Sequence, residues 1–335
     1  MPEKIKLAVV GCGGMGGQHI GSIAAHPDAT VAALVDVRPA AAQQKLKDLL
    51  HDDPSVRQYE SLDAMLSDPP PGLRGVVIAT PHTLHFAQSV ACLQRGLDVL
   101  VEKPMVTSSA HARELKSTIE RTGRQFQVAF QAPFSREFAY IRQQLQSGAL
   151  GELQTITAFS CQGWRKACAN TWRHDPKLSG GGQMYDTGAH LFNSIAWLVD
   201  RPVVEVFCIT DNKGLAVDIN AAMTIRWEGN VLGSVTISGN TPGWQEGIWI
   251  SGDRGRIATG IHGGRLEQFD EKGPVKYPLV TQPHQTPVGN FIDCLLGKAQ
   301  PCCPVRYGIL HSWLMDALYE SAREGRAVKP SAPPL

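Results

Sequence analysis

The start of the chain holds a short apolar run that is followed at once by closely spaced glycines. Residues 7–10 are apolar and rich in β-branched side chains, which predicts a buried strand. Gly11, Gly13 and Gly16 follow in the spacing G-x-G-x-x-G. In this pattern the first glycine makes a tight turn, the second lets a pyrophosphate approach the backbone, and the third lets a helix pack against the strand. The N-terminus of that helix offers N–H groups to the phosphates.

The sequence context of these glycines is typical of a dinucleotide-binding βαβ unit. Residues 15–26 predict a helix, and residues 31–35 predict a second strand that ends at Asp36. This carboxylate lies about 20 residues past the last glycine, where it can accept hydrogen bonds from a ribose diol. We therefore expect a nicotinamide dinucleotide as the cofactor. The alternative is an ordinary glycine turn in a βα unit.

NAD is the expected form of this cofactor. Asp36 should accept hydrogen bonds from the adenosine ribose and repel a 2′-phosphate. Arg38, two residues on, could pair with that phosphate, so NADP stays possible. Gly14 and Met15 within the loop, and Val37 beside Asp36, are expected to contact the cofactor as well.

The order of strands and helices divides the chain near residue 130. Up to that point they alternate, which predicts an α/β domain with a doubly wound parallel Rossmann sheet over residues 1–130. From residue 203 to about Tyr277, strand patterns separated by glycine turns dominate. Residues 131–335 are therefore expected to form an α+β substrate-binding domain with a large open, mainly antiparallel sheet. Its uncovered face predicts a homo-oligomer, a dimer or a tetramer.

Composition excludes several other classes of function. The 335 residues are 43% hydrophobic and 19% charged, with a net charge of +1, so nucleic acid and anionic membranes are not expected partners. No apolar run reaches the roughly 18 residues that span a bilayer. The eight cysteines form no C-x-x-C pair, and no metal site is expected. We expect a cytoplasmic protein with reduced, structural cysteines.

Three further stretches point to chemistry. Residues 80–81 are Thr-Pro, residues 102–104 are Glu-Lys-Pro, and residues 180–190 read G-G-G-Q-M-Y-D-T-G-A-H. With the N-terminal glycine loop, these motifs make the chain similar to the Gfo/Idh/MocA oxidoreductases, which include glucose–fructose oxidoreductase and inositol dehydrogenase. The resemblance runs over nearly the whole chain, from about residue 4 to residue 329.

The resemblance implies a catalytic triad of Lys103, Asp186 and His190. Oxidation of an alcohol needs a base for the hydroxyl proton while hydride leaves for the nicotinamide, and a histidine titrates near the working pH. A lysine beside the alcohol oxygen can stabilise the developing alkoxide. Asp186 and His190 are four residues apart, so a helix would place them on one face. The carboxylate could then orient the substrate or the imidazole.

Two further strands are predicted at residues 75–79 and 98–101. The segments that follow them should meet the cofactor in the same crevice as the glycine loop. The expected contacts are Thr80, Pro81, His82, His85, Glu102 and Lys103. Many relatives carry Asn where this chain has His82, and Asp where it has Asn193. These two departures leave the fine geometry of the substrate site open.

The substrate is expected to contact Lys103, Asp186, His190 and the loop before the glycine run. That loop holds Trp164, Arg165, Trp172 and Arg173. Aromatic rings can stack on sugars, and arginines can bind hydroxyls or carboxylates. The alternative is two tryptophans that close a core.

Three functions remain open. The first is an NAD(P)-dependent dehydrogenase that transfers hydride between the nicotinamide and a secondary alcohol or ketone of a sugar, cyclitol or sugar derivative. The second keeps the bound cofactor but uses transient hydride transfer to cleave or isomerise a glycoside. The third is a non-catalytic regulator that senses a dinucleotide, which a fold alone does not exclude.

Overall fold

The computed structural model describes residues 4–276, 280 and 286–335. Tyr277, the expected end of the strand-rich region, lies outside the described residues. The chain forms two compact units, and each is made of several segments. The first unit comprises Met1–Val106, Ala110–Ala129 and Thr286–Val305. The second unit comprises Thr107–Ser109, Phe130–Gln285 and Arg306–Leu335.

The described strands form two sheets, one of six strands and one of eight. In chain order they are β1 (Ile5–Val10), β2 (Ala29–Val35), β3 (Arg57–Tyr59), β4 (Leu73–Ile78), β5 (Asp98–Val101), β6 (Phe126–Val128), β7 (Leu153–Gln162), β8 (Val203–Asp211), β9 (Asn220–Trp227), β10 (Val231–Ser238), β11 (Trp244–Gly252), β12 (Gly255–Gly260), β13 (Gly263–Asp270) and β14 (Gly273–Pro274).

Helices connect and cover these strands. They are α1 (Gly14–Ala24), α2 (Pro39–Leu50), α3 (Leu62–Ser67), α4 (His85–Gln94), α5 (Ser109–Thr122), α6 (Arg136–Gln146), α7 (Trp164–Ala167), α8 (Pro176–Ser179), α9 (Thr187–Val199), α10 (Pro287–Leu295) and α11 (Val305–Glu324). Single 3₁₀ turns lie at His82–Leu84, Ala132–Phe134 and Trp172–His174. Within the described part of the chain, no helix is long and apolar enough to cross a membrane.

The sheet of the first unit is parallel and has the strand order β3-β2-β1-β4-β5-β6. Strand order therefore reverses between β1 and β4. In open α/β sheets, ligands bind outside the carboxyl ends of the strands at such a reversal. The buried runs of β1, β2, β4 and β5 read as continuous apolar stretches because helices cover both faces of a parallel sheet. The expected Rossmann sheet is confirmed.

The first unit also includes a late segment of the chain, Thr286–Val305. The sequence predicts a single boundary near residue 130, so the structure differs from this prediction at the segment Thr286–Val305. Packing explains the difference, because Phe291 and Ile292 of α10 are fully buried in the same hydrophobic cluster as Leu7 and Leu100 of the parallel sheet. Hydrophobic side chains on this helix therefore complete the core of the first unit.

The second unit is built on an eight-stranded sheet in the order β14-β13-β12-β11-β7-β10-β9-β8. Only the pair of β7 and β10 is parallel, and the other described pairs are antiparallel. Buried and exposed residues alternate along β9 and β10, so these strands bury one face and expose the other. The predicted large, open, mainly antiparallel sheet is confirmed.

One local prediction in the second unit differs from the structure. The stretch before the glycine run, which holds Trp164 and Trp172, is predicted to be a loop, but it contains α7, a 3₁₀ turn and α8. Asp175 explains α8, because its side chain accepts a hydrogen bond from the backbone N–H of Lys177 and caps the helix.

Candidate active site

The loop between β1 and α1 contains glycines in two different environments. Gly11 has a φ of +92°, and a Cβ there would lie 2.5 Å from the carbonyl oxygen of Ala79. At Gly16 a Cβ would lie 1.8 Å from the carbonyl oxygen of Gly11. At Gly13 and Gly14 a Cβ would meet nothing within 4 Å. Gly11 and Gly16 therefore allow the tight turn and the close packing of the helix. Gly13 and Gly14 face open space at the start of α1.

Asp36 follows β2 and is 8% exposed. One carboxylate oxygen accepts a hydrogen bond from the backbone N–H of Cys12 at 2.8 Å, and the other accepts from the N–H of Arg38 at 2.9 Å. A carboxylate has about four acceptor positions, so these two bonds leave acceptor capacity for a diol. The Arg38 side chain is 71% exposed, with Nε 3.5 Å from the carboxylate. Val37 is 82% exposed.

These features of the first unit fit a bound dinucleotide. The start of α1 combines open space at two glycines with the backbone N–H groups of a helix N-terminus, which suits a pyrophosphate. Asp36 adds a fixed acceptor for the adenosine ribose. Burial, together with the Asp36 carboxylate, raises the pKa of the Cys12 thiol to about 12, so this cysteine of the loop is neutral at physiological pH.

Glu102, just past the end of β5, is 5% exposed and is held on both sides. One carboxylate oxygen lies 2.7 Å from Nε2 of His19, and the other accepts the backbone N–H of Lys103 at 3.1 Å. Burial acts to raise the pKa of Glu102, but the His19 hydrogen bond and the charges of His19 and Lys103 outweigh it and lower the pKa below its ordinary value. Both oxygens of this expected cofactor contact therefore bind groups of the protein and fix the backbone at Lys103.

The turn after β4 and the turn after β5 are joined by His85. Its ring is fully buried, with Nδ1 2.7 Å from the carbonyl oxygen of Pro104 and Nε2 2.9 Å from that of Thr80. The Thr80 hydroxyl donates to the Gln88 side chain at 2.6 Å. Pro81 precedes a 3₁₀ turn that contains the buried His82. The residues expected near the cofactor after β4 thus form a packed, hydrogen-bonded turn.

In the second unit, close packing leaves no room for side chains along the run Gly180–Gly182. A Cβ at Gly181 would lie 2.2 Å from the Tyr319 hydroxyl, and a Cβ at Gly182 would lie 1.9 Å from the carbonyl oxygen of Asp218. The buried carboxylate of Asp218 accepts the backbone N–H groups of Gly182 and Met184 at 2.7 and 2.9 Å, and also the Tyr319 hydroxyl. The carboxylate therefore fixes the segment that leads into Asp186.

Asp186 is held by two side chains that precede it in the chain. Its Oδ2 accepts a hydrogen bond from the indole N–H of Trp164 at 2.7 Å and from Nε of Arg173 at 2.7 Å. Trp164 is 3% exposed and packs with Val217 and Ile219, so its ring is part of a small core. The guanidinium of Arg173 lies 4.5 Å from the centre of the half-buried ring of Trp172. Arg165 donates to the carbonyl of Lys213 at 3.2 Å.

His190 lies in the first turns of α9 and is half-buried. The ring of His262, from the turn after β12, is 4.6 Å away in a T-shaped arrangement. Asp186 is the N-cap residue of α9, so it lies immediately before the helix that contains His190. Asn193 is fully buried, and neither of its amide atoms has a hydrogen-bond partner among the described residues.

Within the second unit the structure thus joins Asp186 to Trp164 and Arg173, and it places His190 beside His262. Four residues of these networks were not anticipated from the sequence: His19, Asp218, His262 and Tyr319. Each is brought in by a contact with a residue at least 36 positions away, which no local pattern reveals. In the described ranges, no three His, Cys, Asp or Glu side chains form a group that could hold a metal.

A parallel sheet with this glycine loop and a buried acidic residue after β2 defines a dinucleotide-binding protein of the Rossmann class. Comparisons with known proteins identify the family. Residues 5–130 match the model of an oxidoreductase family with an NAD-binding Rossmann fold, and residues 138–258 match that of the GFO/IDH/MocA C-terminal domain. The chain belongs to the Gfo/Idh/MocA family of oxidoreductases.

Named relatives span much of the chain. The D-glucoside 3-dehydrogenase of Escherichia coli is 25% identical, over 97% of this chain and 97% of its own. The inositol 2-dehydrogenase of Rubrobacter xylanophilus is 25% identical, over 76% of this chain and 71% of its own. The crystal structure of the WlbA dehydrogenase of Bordetella pertussis with NADH and UDP-GlcNAcA has a TM-score of 0.83 at 24% identity, covering 98% of this chain and 99% of that one. This last similarity is one of fold.

Proposed function

We propose that the protein is an NAD-dependent dehydrogenase that oxidises a secondary alcohol of a sugar, cyclitol or sugar derivative, or reduces the corresponding ketone. The observation that carries the proposal is the pairing of two features in the first unit. One is a glycine loop with open space at Gly13 and Gly14, beside the fixed carboxylate of Asp36. The other is Lys103 at the end of β5, with its backbone held by Glu102. The family of the chain and its named relatives support the same reaction class.

When bound, the nicotinamide would accept or supply the hydride. The glycine loop would hold the pyrophosphate on backbone N–H groups, and Asp36 would accept hydrogen bonds from the adenosine ribose. Lys103 would donate a hydrogen bond to the alcohol oxygen and stabilise negative charge that develops there. His190 would take the hydroxyl proton as a general base.

The second unit would supply the substrate-orienting groups. Asp186 can orient a substrate only if its own carboxylate is held in place. The hydrogen bonds from Trp164 and Arg173 hold it. Trp164 then acts through Asp186, since its ring is buried in a core. Trp172 and Arg165 are proposed to contact the substrate itself.

The substrate can be found by a screen of polyols, sugars and glycosides with NAD and NADP, in which absorbance of the reduced cofactor is measured. A net gain of reduced cofactor supports the dehydrogenase. Release of an aglycone without a net gain would support glycoside cleavage instead. A protein that binds NADH but turns over no member of a broad panel would favour a dinucleotide-sensing regulator.

Single-turnover kinetics with a substrate from that screen test the assigned roles. Lys103→Ala should slow hydride transfer by roughly 10²–10⁴-fold, the range for general acid–base and alkoxide-stabilising groups. Lys116→Ala is the matched control, because Lys116 is a helix lysine paired with Glu120 on the surface of α5. A Lys103→Ala enzyme within threefold of the control would remove this lysine from the chemistry.

We also propose that a second copy of the chain covers the open face of the eight-stranded sheet. Ile209, Ala222, Thr236 and Phe159 are successive cross-strand neighbours, so their side chains share one face. Ile209 is 60% exposed, and Leu232, further along the same face, is 47% exposed. An exposed sheet face with apolar side chains and few charges is typical of a subunit interface.

A further inference from the structure

The fully buried ring of His85 lies between two backbone carbonyl oxygens. Nδ1 is 2.7 Å from the oxygen of Pro104, and Nε2 is 2.9 Å from the oxygen of Thr80. A carbonyl oxygen accepts hydrogen bonds and donates none. A neutral imidazole carries one N–H, so it can satisfy only one of these two oxygens. The other contact would then set a nitrogen lone pair against an oxygen lone pair within 2.9 Å.

Doubly protonated imidazole satisfies both contacts, because each ring nitrogen then donates. We infer that His85 is held as an imidazolium and is a positioning residue that ties the turn carrying Thr80 and Pro81 to the turn carrying Lys103 and Pro104. The first turn follows β4 and the second follows β5. These are the strand ends that, in the proposed function, present the nicotinamide contacts and the lysine.

Charged and titratable groups surround the ring on the elements packed against α4. At the end of β5, the Glu102 carboxylate favours the cation and the Lys103 ammonium disfavours it. In the 3₁₀ turn after β4, the ring of His82 lies 6.0 Å from that of His85. Burial lowers the pKa of His85 below its ordinary value, and this effect outweighs the hydrogen bonds to Pro104 and Thr80 and the charge of Glu102, which act to raise it. The contact geometry decides between these effects, because only the cation makes both contacts attractive.

The anion that balances this cation is itself fixed. Glu102 is buried, and its two oxygens bind His19 and the backbone of Lys103. A buried cation and a buried anion thus stand at the same strand end, and both act on the backbone on either side of Lys103. His85 holds the carbonyl of Pro104, and Glu102 holds the N–H of Lys103. Together they restrict the direction in which the Lys103 side chain leaves the backbone.

The charge state can be measured without a substrate. In protein labelled with ¹⁵N-histidine, a long-range ¹H–¹⁵N spectrum near neutral pH reports whether each ring nitrogen carries a proton. The His85 signals are those that disappear in His85→Gln. We expect both nitrogens to show imidazolium shifts. One protonated and one unprotonated nitrogen would overturn the inference of a cation, whatever the enzyme proves to catalyse.

The positioning role rests on the proposed dehydrogenase and is tested by kinetics. His85→Phe removes both contacts and should lower kcat by about 10- to 100-fold through misplacement of Lys103. NADH affinity should change by less than about threefold, since the phosphate and ribose contacts lie elsewhere. His85→Gln keeps N–H donors without the charge and should recover part of the loss. A kcat for His85→Phe within twofold of the unmodified enzyme would overturn the role.

The matched control is His111→Phe. His111 is on α5 and stacks on Phe86, the neighbour of His85, at 4.1 Å between ring centres. A phenylalanine preserves that stack, so kcat and NADH affinity should not change. If His85→Phe fails to fold, the spectrum of the unmodified protein and the kinetics of His85→Gln still decide. If no substrate is found, the proposed function fails, but the spectrum still tests the charge.

Discussion

Gly13→Ala separates the cofactor role of the glycine loop from its role in the fold. A Cβ at Gly13 meets nothing within 4 Å, and the backbone there is extended, with a φ of −73°. Replacing glycine by alanine in a compatible conformation stabilises a protein by about 0.4–1 kcal/mol. The added methyl group would occupy the space through which a pyrophosphate approaches. Loss of one hydrogen bond to a charged group costs about 1.5–3 kcal/mol, so NADH affinity should fall by about 10- to 100-fold.

The assay is chemical unfolding with and without NADH, together with calorimetric titration of NADH. At a ligand concentration of about 100 times Kd, binding adds about 2.7 kcal/mol to the free energy of unfolding. At the same concentration, a variant with about 100-fold weaker affinity gains only about 0.4 kcal/mol. Gly13→Ala should therefore match or exceed the unmodified protein in stability without NADH and fall below it by about 0.3–2 kcal/mol with NADH.

Gly16→Ala is the contrasting variant in the same loop. Its Cβ would lie 1.8 Å from the carbonyl oxygen of Gly11, so the backbone must shift. Overpacking of this kind costs about 1–3 kcal/mol, and the loss should appear without NADH. Unchanged NADH affinity in Gly13→Ala would refute the placement of the pyrophosphate. Unchanged stability in Gly16→Ala would refute the close packing of helix and strand.

Three further outcomes are expected. Asp36→Ala should raise the ratio of kcat/KM with NADP to that with NAD, because the carboxylate that repels a 2′-phosphate is gone; a wild-type preference for NADP would contradict this reasoning. Light scattering at micromolar concentration should report a dimer or tetramer, and Leu232→Glu on the open sheet face should yield smaller species, whereas a wild-type monomer would exclude the interface. The lowered pKa of Glu102 contributes stability above the ordinary carboxyl pKa, and this is lost as pH falls through the folded-state pKa; Glu102→Gln should therefore lose less stability between neutral pH and pH 3 than the unmodified protein does.

Periodicity and glycine spacing were sufficient to predict the parallel sheet and its cofactor loop. The strand, the turn and the helix around Gly11 and Gly16 are local features. Their backbone geometry requires glycine at these two positions, so the sequence itself reveals them. The strands of the second sheet could also be predicted, because alternating burial gives apolar residues at every second position of the sequence. The residues predicted at the site by resemblance to a family stay predictions where they concern catalysis.

What escaped the sequence was set by contacts between distant residues. Nothing near Asp218 indicates that its carboxylate accepts two backbone N–H groups from residues 182–184. The letters of the glycine run do not reveal its packing, and only the positions of Tyr319 and Asp218 show that side chains cannot fit at Gly181 and Gly182. The sequence allows Trp164 either to face a ligand or to close a core. In the structure it is buried because it packs against Val217 and Ile219, more than 50 residues further along the chain.

Helix α10 has a consequence for how the protein is made. Its residues Phe291 and Ile292 are buried against the strands of the first unit, yet they follow those strands by more than 150 residues. During synthesis the strands of the parallel sheet therefore leave the ribosome well before the helix that completes their core. Until that helix is made, part of the apolar surface of the sheet stays exposed to water. Closing such a long loop costs chain entropy and slows folding. A fragment that ends at residue 130 would consequently lack a piece of its own interior, and the nucleotide-binding unit can be excised intact only together with the distant segment Thr286–Val305.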